Sequence, residues 1–99
     1  MNEIDKFYAD KCGVLITTYN YQGYDLPAFI LKGVKEYKWT IESAECREII
    51  REVFKIETQY INDLWLASSE GMTIHTGETI REAEIALLQA IFEQENNLF

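Results

Sequence analysis

A chain of 99 residues with 47% apolar and 26% charged side chains has the size and composition of one soluble globular domain. Its net charge of −8 opposes binding to phosphate backbones and anionic lipids, because both depend on cationic side chains that displace counterions. No apolar run approaches the roughly 20 residues of a membrane helix, and the first five residues do not resemble a signal peptide. We therefore expect a cytoplasmic protein that contacts neither nucleic acid nor membrane.

The chain is predicted to begin with a short helix followed by a strand. Asn2 suits the helix N-cap, and Gly13 suits the left-handed position that ends a helix. Between them, one helical stripe is apolar: Ile4, Phe7, Tyr8 and Cys12. The β-branched run 14–19 then favours a strand.

The segment from Tyr19 to Pro27 is the least regular part of the sequence. Its Asn and Gly residues favour turns, and Pro27 disfavours continuation of a strand. The next segment, Ala28 to Tyr37, is compatible with either a helix or a strand. We expect a loop or short turn there, and then a strand near residues 36–41.

A middle helix is predicted over about 43–55, capped by Ser43 or alternatively by Thr40. Its expected apolar face consists of Cys46, Ile49, Ile50, Val53 and Phe54. Arg47, Arg51 and Lys55 recur at four-residue spacing and form a basic stripe, which is either a docking face or a solvated face. The interleaved Glu48 and Glu52 cancel most of its field and favour the solvated face.

Three antiparallel strands and a final helix are predicted after residue 55. The first strand is predicted from the alternation of apolar and polar residues over 56–60, in which Ile56, Thr58 and Tyr60 share the expected buried face. The second is the apolar run 64–68 and the third runs from Met72 to Thr76, with turns at Asn62-Asp63 and Glu70-Gly71 between them. Thr79 and Glu82 have the spacing of a capping box and open a helix over about 79–95. The predicted fold is a single α+β domain over 1–99. It has an antiparallel sheet of three to five strands, on which the two longer helices and the short N-terminal helix pack.

No residue pattern indicates catalysis or metal binding. Cys12 and Cys46 fit no metal or redox spacing and are expected to be reduced, buried thiols. His75 is the only histidine, and its strand neighbours place it on the opposite face from Ile74 and Thr76, so we expect it to point to solvent. We expect no enzymatic activity, no cofactor and no metal.

The aromatic segment is the first candidate binding surface. Tyr19, Tyr21 and Tyr24, separated by Asn, Gln and Gly, have the composition of a recognition loop, because tyrosine gives large contact area at low entropic cost. In the alternative interpretation, two of the three tyrosines pack on the core and one is exposed. Trp39 and Trp65 are expected to be core residues.

The uneven charge supplies the second candidate surface. Residues 1–55 carry eight basic and nine acidic side chains, a net charge of −1, whereas residues 56–99 carry one and eight, a net charge of −7. Such an anionic half is attracted to a basic surface, although acids also simply keep a small protein soluble. With the tyrosines, the candidate partner-binding residues are Asp25, Glu70, Glu78 and Glu82.

The segment Thr76–Ala86, with its Gly-acid-Thr turn and Glu-Ala pair, resembles the strand-turn-helix of HicB-type antitoxins. That resemblance implies an α/β sheet domain that neutralises a small RNase toxin. The chain lacks the Pro-x-x-x-Gly segment that precedes the turn in that family.

A second resemblance covers more of the chain. Trp39-Thr40-Ile41, the segment Cys46–Glu52 and the Ala-rich run Glu82–Ile91 are similar to small α-β-α sandwich accessory proteins of phages and prophages. It implies an inhibitor or adaptor that occupies a basic surface of a host protein or complex in the host cytoplasm. The alternatives are a HicB-like antitoxin or regulatory domain, and a purely structural or dimerising role. Edge strands at 14–19 or 56–61 would allow a homodimer.

Overall fold

The computed structural model describes residues 2–31, 34–36 and 38–96. These residues form the helices α1 (Glu3–Lys11), α2 (Ala44–Phe54) and α3 (Ile80–Asn96). The strands are β1 (Leu15–Tyr21), β2 (Tyr24–Leu31), β3 (Val34–Glu36), β4 (Glu57–Ile61), β5 (Leu64–Ser68) and β6 (His75–Gly77). The predicted α+β class is confirmed. The strands form two antiparallel sheets, a first sheet in the order β1-β2-β3 and a second in the order β4-β5-β6.

The chain divides into an N-terminal unit, residues 1–40, and a C-terminal unit, residues 41–99. In both units a helix is followed by a hairpin and then by a third strand of three residues. The C-terminal unit adds α3 after its sheet. No repeat in the sequence marks this shared order of elements, and the single domain expected over 1–99 stays a prediction.

In the N-terminal unit, both ends of α1 are closed as the sequence predicts. Asn2 Oδ1 accepts a 2.8 Å hydrogen bond from the backbone N–H of Asp5. At the other end Gly13 has φ +74°, and the N–H of Val14 donates to the carbonyl of Ala9 at 2.8 Å, which is the bond of a Schellman motif. Tyr8 is fully buried, and this burial, together with Cys12, raises the pKa of its phenol.

The segment 19–27 contains the predicted turn, at Gln22 and Gly23, but the residues on either side of it are strands, so the predicted irregular structure and the stop at Pro27 are wrong. β1 and β2 pair from Leu15↔Ile30 to Tyr21↔Tyr24, and the two-residue turn between them has φ +51° at Gln22 and φ +83° at Gly23. Two positive φ values define the type I′ turn whose twist matches that of the paired strands. Pro27 is tolerated within β2 because β3 pairs only with residues 29–31, so no neighbour needs the N–H that proline lacks.

The strand predicted near 36–41 is also wrong. Ala28 to Leu31 complete β2, β3 ends at Glu36, and residues 38–40 have no regular secondary structure. Lys32, Gly33 and Tyr37, for which a loop or strand was predicted, lie outside the described residues. Trp39 is buried as expected, and its indole N–H donates to the carbonyl of Asp5 at 3.0 Å. That hydrogen bond holds residue 39 without a strand.

In the C-terminal unit, α2 has the predicted cap and nearly the predicted bounds. The Ser43 hydroxyl accepts a hydrogen bond from the N–H of Cys46 at 3.4 Å. Lys55 follows the helix with φ +55°, and the N–H of Ile56 donates to the carbonyl of Arg51 at 2.9 Å. The buried face differs from the expected one, because Val53 is exposed and Arg47 is buried.

The second hairpin is the one predicted. β4 and β5 pair around Asn62 and Asp63, which have φ +53° and +64° and form another type I′ turn. The third strand is displaced from the predicted Met72–Thr76 to His75–Gly77. The side chains also face the opposite way from the prediction, because Ile74 is exposed and His75, which was expected to point to solvent, is half-buried. The His75 ring lies 3.4 Å from the Thr73 hydroxyl.

The capping box opens α3 as predicted. The N–H of Glu82 donates to Thr79 Oγ1 at 3.1 Å, and the Glu82 carboxylate accepts from the N–H of Glu78 at 2.9 Å. Behind this cap the helix packs on β5 and β6. Its buried apolar residues are Ala83, Leu87, Leu88 and Ile91.

Gly77 allows the end of β6 to approach the first turn of α3. A Cβ atom at this position would lie 2.6 Å from the Cβ of Glu82 and 2.7 Å from the backbone nitrogen of Ala83. The second of these contacts involves main chain that the helix holds in place, so it has no flexible side chain to relieve it.

We therefore expect Gly77→Ala to destabilise the protein by about 1–3 kcal/mol through overpacking, measured by urea denaturation. Gly71→Asn is the control, because Gly71 has φ +81° with no atom within 4 Å of an added Cβ, and Asn tolerates that conformation. Equal stability of Gly77→Ala and the unaltered chain would contradict the close approach.

Candidate functional site

The strongest candidate binding surface is the tip of the first hairpin, residues 19–25, which we call the tyrosine hairpin. Tyr21 and Tyr24 flank the turn and lie directly opposite each other, and Tyr19 lies opposite Leu26 on the same face of the sheet. Asn20 Oδ1 accepts a 3.4 Å hydrogen bond from the N–H of Gly23. The turn is thus closed by its own side chain and holds the aromatic pair in place.

Exposure separates the three tyrosines. Tyr21 is 57% and Tyr24 is 72% exposed, whereas Tyr19 is half-buried. The alternative in which two tyrosines pack on the core and one is exposed is therefore wrong. Asp25, the fourth candidate here, is exposed, and its carboxylate accepts a 3.4 Å hydrogen bond from the side-chain amide of Asn20.

The acidic candidates lie in the C-terminal unit and play different parts. Glu70, Glu78 and Glu82 are all exposed. Glu82 completes the cap of α3, so its carboxylate is already engaged. Glu70 lines an open cleft of about 380 Å³ with Lys55, Glu57, Ser68 and Ser69. The hydroxyl of Ser69 donates a 3.1 Å hydrogen bond to the carbonyl of Phe54, the last residue of α2. This hydroxyl therefore has a structural partner at the helix end.

The boundary between the units separates the charge more sharply than the sequence halves do. Residues 1–40 carry five acidic and five basic side chains, a net charge of 0. Residues 41–99 carry twelve acidic and four basic ones, 4 − 12 = −8, the full charge of the chain. The tyrosine hairpin therefore belongs to a neutral unit and the candidate glutamates to an anionic one.

A second exposed apolar surface, absent from the predicted sites, lies at the tip of the β4–β5 hairpin. Tyr60, Ile61 and Leu64 are exposed there. The ring of Tyr60 lies 5.3 Å from that of Trp65, which is half-buried and not fully in the core as expected. The alternation that predicted β4 had placed Tyr60 on the buried face, and this is why the sequence did not indicate the surface.

Two of the three residues in the basic stripe, Arg47 and Arg51, bind a carboxylate of α3, whereas Lys55 is exposed as the solvated face predicts. Glu84 of α3 is 1% exposed, and its carboxylate lies between two arginines of α2. Arg47 Nε donates to Oε1 at 3.2 Å, and Arg51 donates from Nε to Oε2 at 2.7 Å and from Nη2 to Oε1 at 2.9 Å. These hydrogen bonds raise the pKa of Arg51.

Arg47 is held on its other side by backbone. Its Nη1 donates to the carbonyls of Ile41 at 3.1 Å and Glu42 at 2.8 Å. Among the described residues, no buried side-chain nitrogen or oxygen is left without a partner. The sequence carried one signal of this cluster, because Glu84 shares the helical stripe of Leu87, Leu88 and Ile91 and had to be buried with them.

Within residues 2–31, 34–36 and 38–96, no group of three His, Cys, Asp or Glu side chains converges on a common point where a metal ion could bind. In the same part of the chain, no helix combines the length and apolar content needed to cross a membrane. The two thiols are free, with Cys46 buried and Cys12 half-buried.

Comparison of the chain with protein-family models, with curated proteins and with solved structures finds no match.

We expect Glu84→Gln to destabilise the protein by about 3 kcal/mol, because it leaves the buried Arg47 guanidinium without a compensating charge. The control is Arg81→Ala, which removes an exposed 3.4 Å ion pair with Glu42 and should change the free energy of unfolding by less than about 1 kcal/mol. Urea denaturation measures both. A cost for Glu84→Gln as small as that of Arg81→Ala would show that the cluster does not stabilise the fold.

Proposed function

We propose that this protein acts by binding another protein, with the tyrosine hairpin as the contact and the anionic C-terminal unit as the source of attraction to a basic partner surface. The observation that carries the proposal is the exposed Tyr21–Tyr24 pair at a rigid type I′ turn. The contact needs no catalytic group, and we propose no enzymatic activity.

The geometry of the hairpin favours recognition over a role in the core. Tyr21 and Tyr24 are opposite each other across the strands, so both side chains project from the same face of the hairpin. Their backbone is fixed by the strand pairing and by the turn, so little conformational entropy is lost when a partner binds. Tyrosines in such a setting are typical centres of binding energy.

The charge of the C-terminal unit supports a separate contribution. A net charge of −8 on residues 41–99 attracts a cationic surface over about one Debye length, roughly 10 Å at 0.1 M salt. Charge of this kind raises the rate of association more than it strengthens the final contact. We therefore assign attraction to the unit as a whole, with the exposed Glu70 and Glu78 among its contributors, and not to Glu82, whose carboxylate closes the helix cap.

The resemblance to small phage and prophage accessory proteins suggests the cellular role of this binding. An acidic protein that occupies a basic surface prevents that surface from binding nucleic acid. We propose an inhibitor or adaptor of this kind, acting on a host protein or complex in the host cytoplasm.

An antitoxin-like role is the second candidate, favoured by one observation. The segment that resembles HicB-type antitoxins forms a strand, a turn and a capped helix, with Gly77 in close contact with the helix start. Co-purification with a small basic RNase would support this candidate. Loss of that complex on altering residues 76–86, with the tyrosine hairpin intact, would favour it over the first.

We expect a Tyr21→Ala/Tyr24→Ala variant to lose partner capture from native host lysate while its melting temperature stays within a few degrees. Each tyrosine at a binding centre contributes at least about 2 kcal/mol, so affinity should fall by about 30-fold for each side chain removed and by several hundred-fold for the pair. The control is Tyr60→Ala, which removes a similarly exposed tyrosine from the other hairpin. Unchanged capture by the double variant, or loss of its fold, would contradict the proposed contact.

The electrostatic part has its own test. Raising the salt concentration from about 50 to about 500 mM should slow association by about tenfold or more, because the attraction between exposed charges is screened. Surface plasmon resonance with the captured partner measures the rate. An association rate that does not respond to salt would refute the role of the anionic unit and leave the tyrosine contact standing.

A further inference from the structure

β1 is an edge strand without the usual protection against pairing. It lies at the end of the first sheet, and six of its seven residues are exposed, including Leu15 at 67% and Ile16 at 45%. Edge strands are commonly protected by charged side chains, by proline or by a bulge. The chain carries no charged residue from Cys12 to Tyr24, its longest uncharged stretch, and β1 contains no proline.

The register of the hairpin determines which backbone groups face outward. A two-residue type I′ turn is closed by hydrogen bonds between the residues that flank it, so Tyr21 and Tyr24 form a hydrogen-bonded pair. Pairs alternate along an antiparallel ladder, so Ile16, Thr18 and Asn20 turn their N–H and C=O groups away from β2. Pro27 agrees with this assignment, because it lies opposite Thr18 and cannot donate to the ladder.

We propose that β1 pairs antiparallel with β1 of a second copy of the chain, around a two-fold axis at Thr18. In this register Thr18 faces Thr18 of the second copy, and Ile16 faces its Asn20. The three outward residues of each copy then meet one another, and each contributes one donor and one acceptor, for about six hydrogen bonds in all. Leu15 lies opposite Tyr21 of the second copy, and both side chains project from the face of the sheet opposite to that of Ile16, Thr18 and Asn20.

The absence of charged side chains on β1 favours a second copy as the occupant. The N-terminal unit is neutral, so two copies meet there without opposing like charges, whereas β4, the edge of the second sheet, carries Glu57 and belongs to the unit of charge −8. β1 contains no carboxylate that could form an ion pair with a cationic segment, so such a segment is a less suitable occupant. The pairing does not depend on the proposed function, and it makes one continuous sheet from two first sheets.

The first experiment measures mass against concentration by analytical ultracentrifugation of the full chain from about 1 µM to about 1 mM. A seven-residue strand pair is smaller than a standard interface, so the dissociation constant should be in the micromolar range or weaker. Thr18→Pro removes an outward N–H without removing a bond to β2 and should weaken dimerisation by about tenfold or more. Thr18→Ala, which keeps that N–H, is the control and should dimerise like the unaltered chain.

The second experiment tests the register and does not require the proline variant to fold. Opposed residues in a hydrogen-bonded antiparallel pair have Cα atoms about 5.5 Å apart, within the range of a disulfide. Thr18→Cys should therefore form a covalent dimer rapidly under mild oxidation. Thr17→Cys is the matched control, because the two copies of residue 17 are offset by two positions, about 7 Å along the strands, and fall outside that range.

A chain that remains monomeric at about 1 mM would overturn the proposal. So would a dimer that Thr18→Pro leaves intact in its folded state, or equal cross-linking of Thr17→Cys and Thr18→Cys. None of these variants alters Tyr21 or Tyr24, but the paired register places Tyr21 against Leu15 of the second copy. Partner capture is therefore measured on Thr18→Ala at a concentration below the dissociation constant of the dimer, so that a failure of the proposed function is distinguishable from a failure of the pairing.

Discussion

The two-residue turns with positive φ at both positions are the constraint on which the binding surfaces depend. Gln22-Gly23 and Asn62-Asp63 each close a hairpin in a single register, and a shift of one residue would move every side chain to the other face of its sheet. The register brings Tyr21 opposite Tyr24, and it directs the backbone N–H and C=O of Thr18 away from β2. Both proposed contacts are therefore consequences of one local backbone geometry.

In the C-terminal unit, the buried carboxylate of Glu84 makes the interaction that fixes the packing of the helices. It joins α3 to α2 through two arginines, and the Arg47 guanidinium reaches back to the carbonyls of residues 41 and 42. A buried charge is tolerated only when it is paired and hydrogen-bonded, and this one is. The consequence for function is that the buried charges of Arg47 and Glu84 cancel each other, so the net charge of −8 on this unit is carried by its other side chains.

The proposed contacts lie in the neutral unit, and the charge lies in the other. This separation allows close pairing at β1 between two copies of a protein that carries −8 in total, because the repelling charge is outside the strands that meet. Attraction and contact are thus served by different residues.

The elements that could be predicted from the sequence are those that depend on local chemistry: the caps at Asn2, Ser43 and Thr79, the stop at Gly13 and the Asn62-Asp63 turn. Their hydrogen bonds form between residues three to five apart. Composition also indicated Tyr19, Tyr21 and Tyr24 as a candidate surface, but it did not separate the exposed Tyr21 and Tyr24 from the half-buried Tyr19. Three features became visible only in the folded chain: the hairpin over residues 19–27, the half-buried His75 and the buried Arg47. The burial of Arg47 depends on Glu84, a residue distant in sequence, and helical periodicity carries no information about such a partner. The first hairpin has a local turn at Gln22-Gly23, and it was not predicted because Pro27 was taken to disfavour a strand.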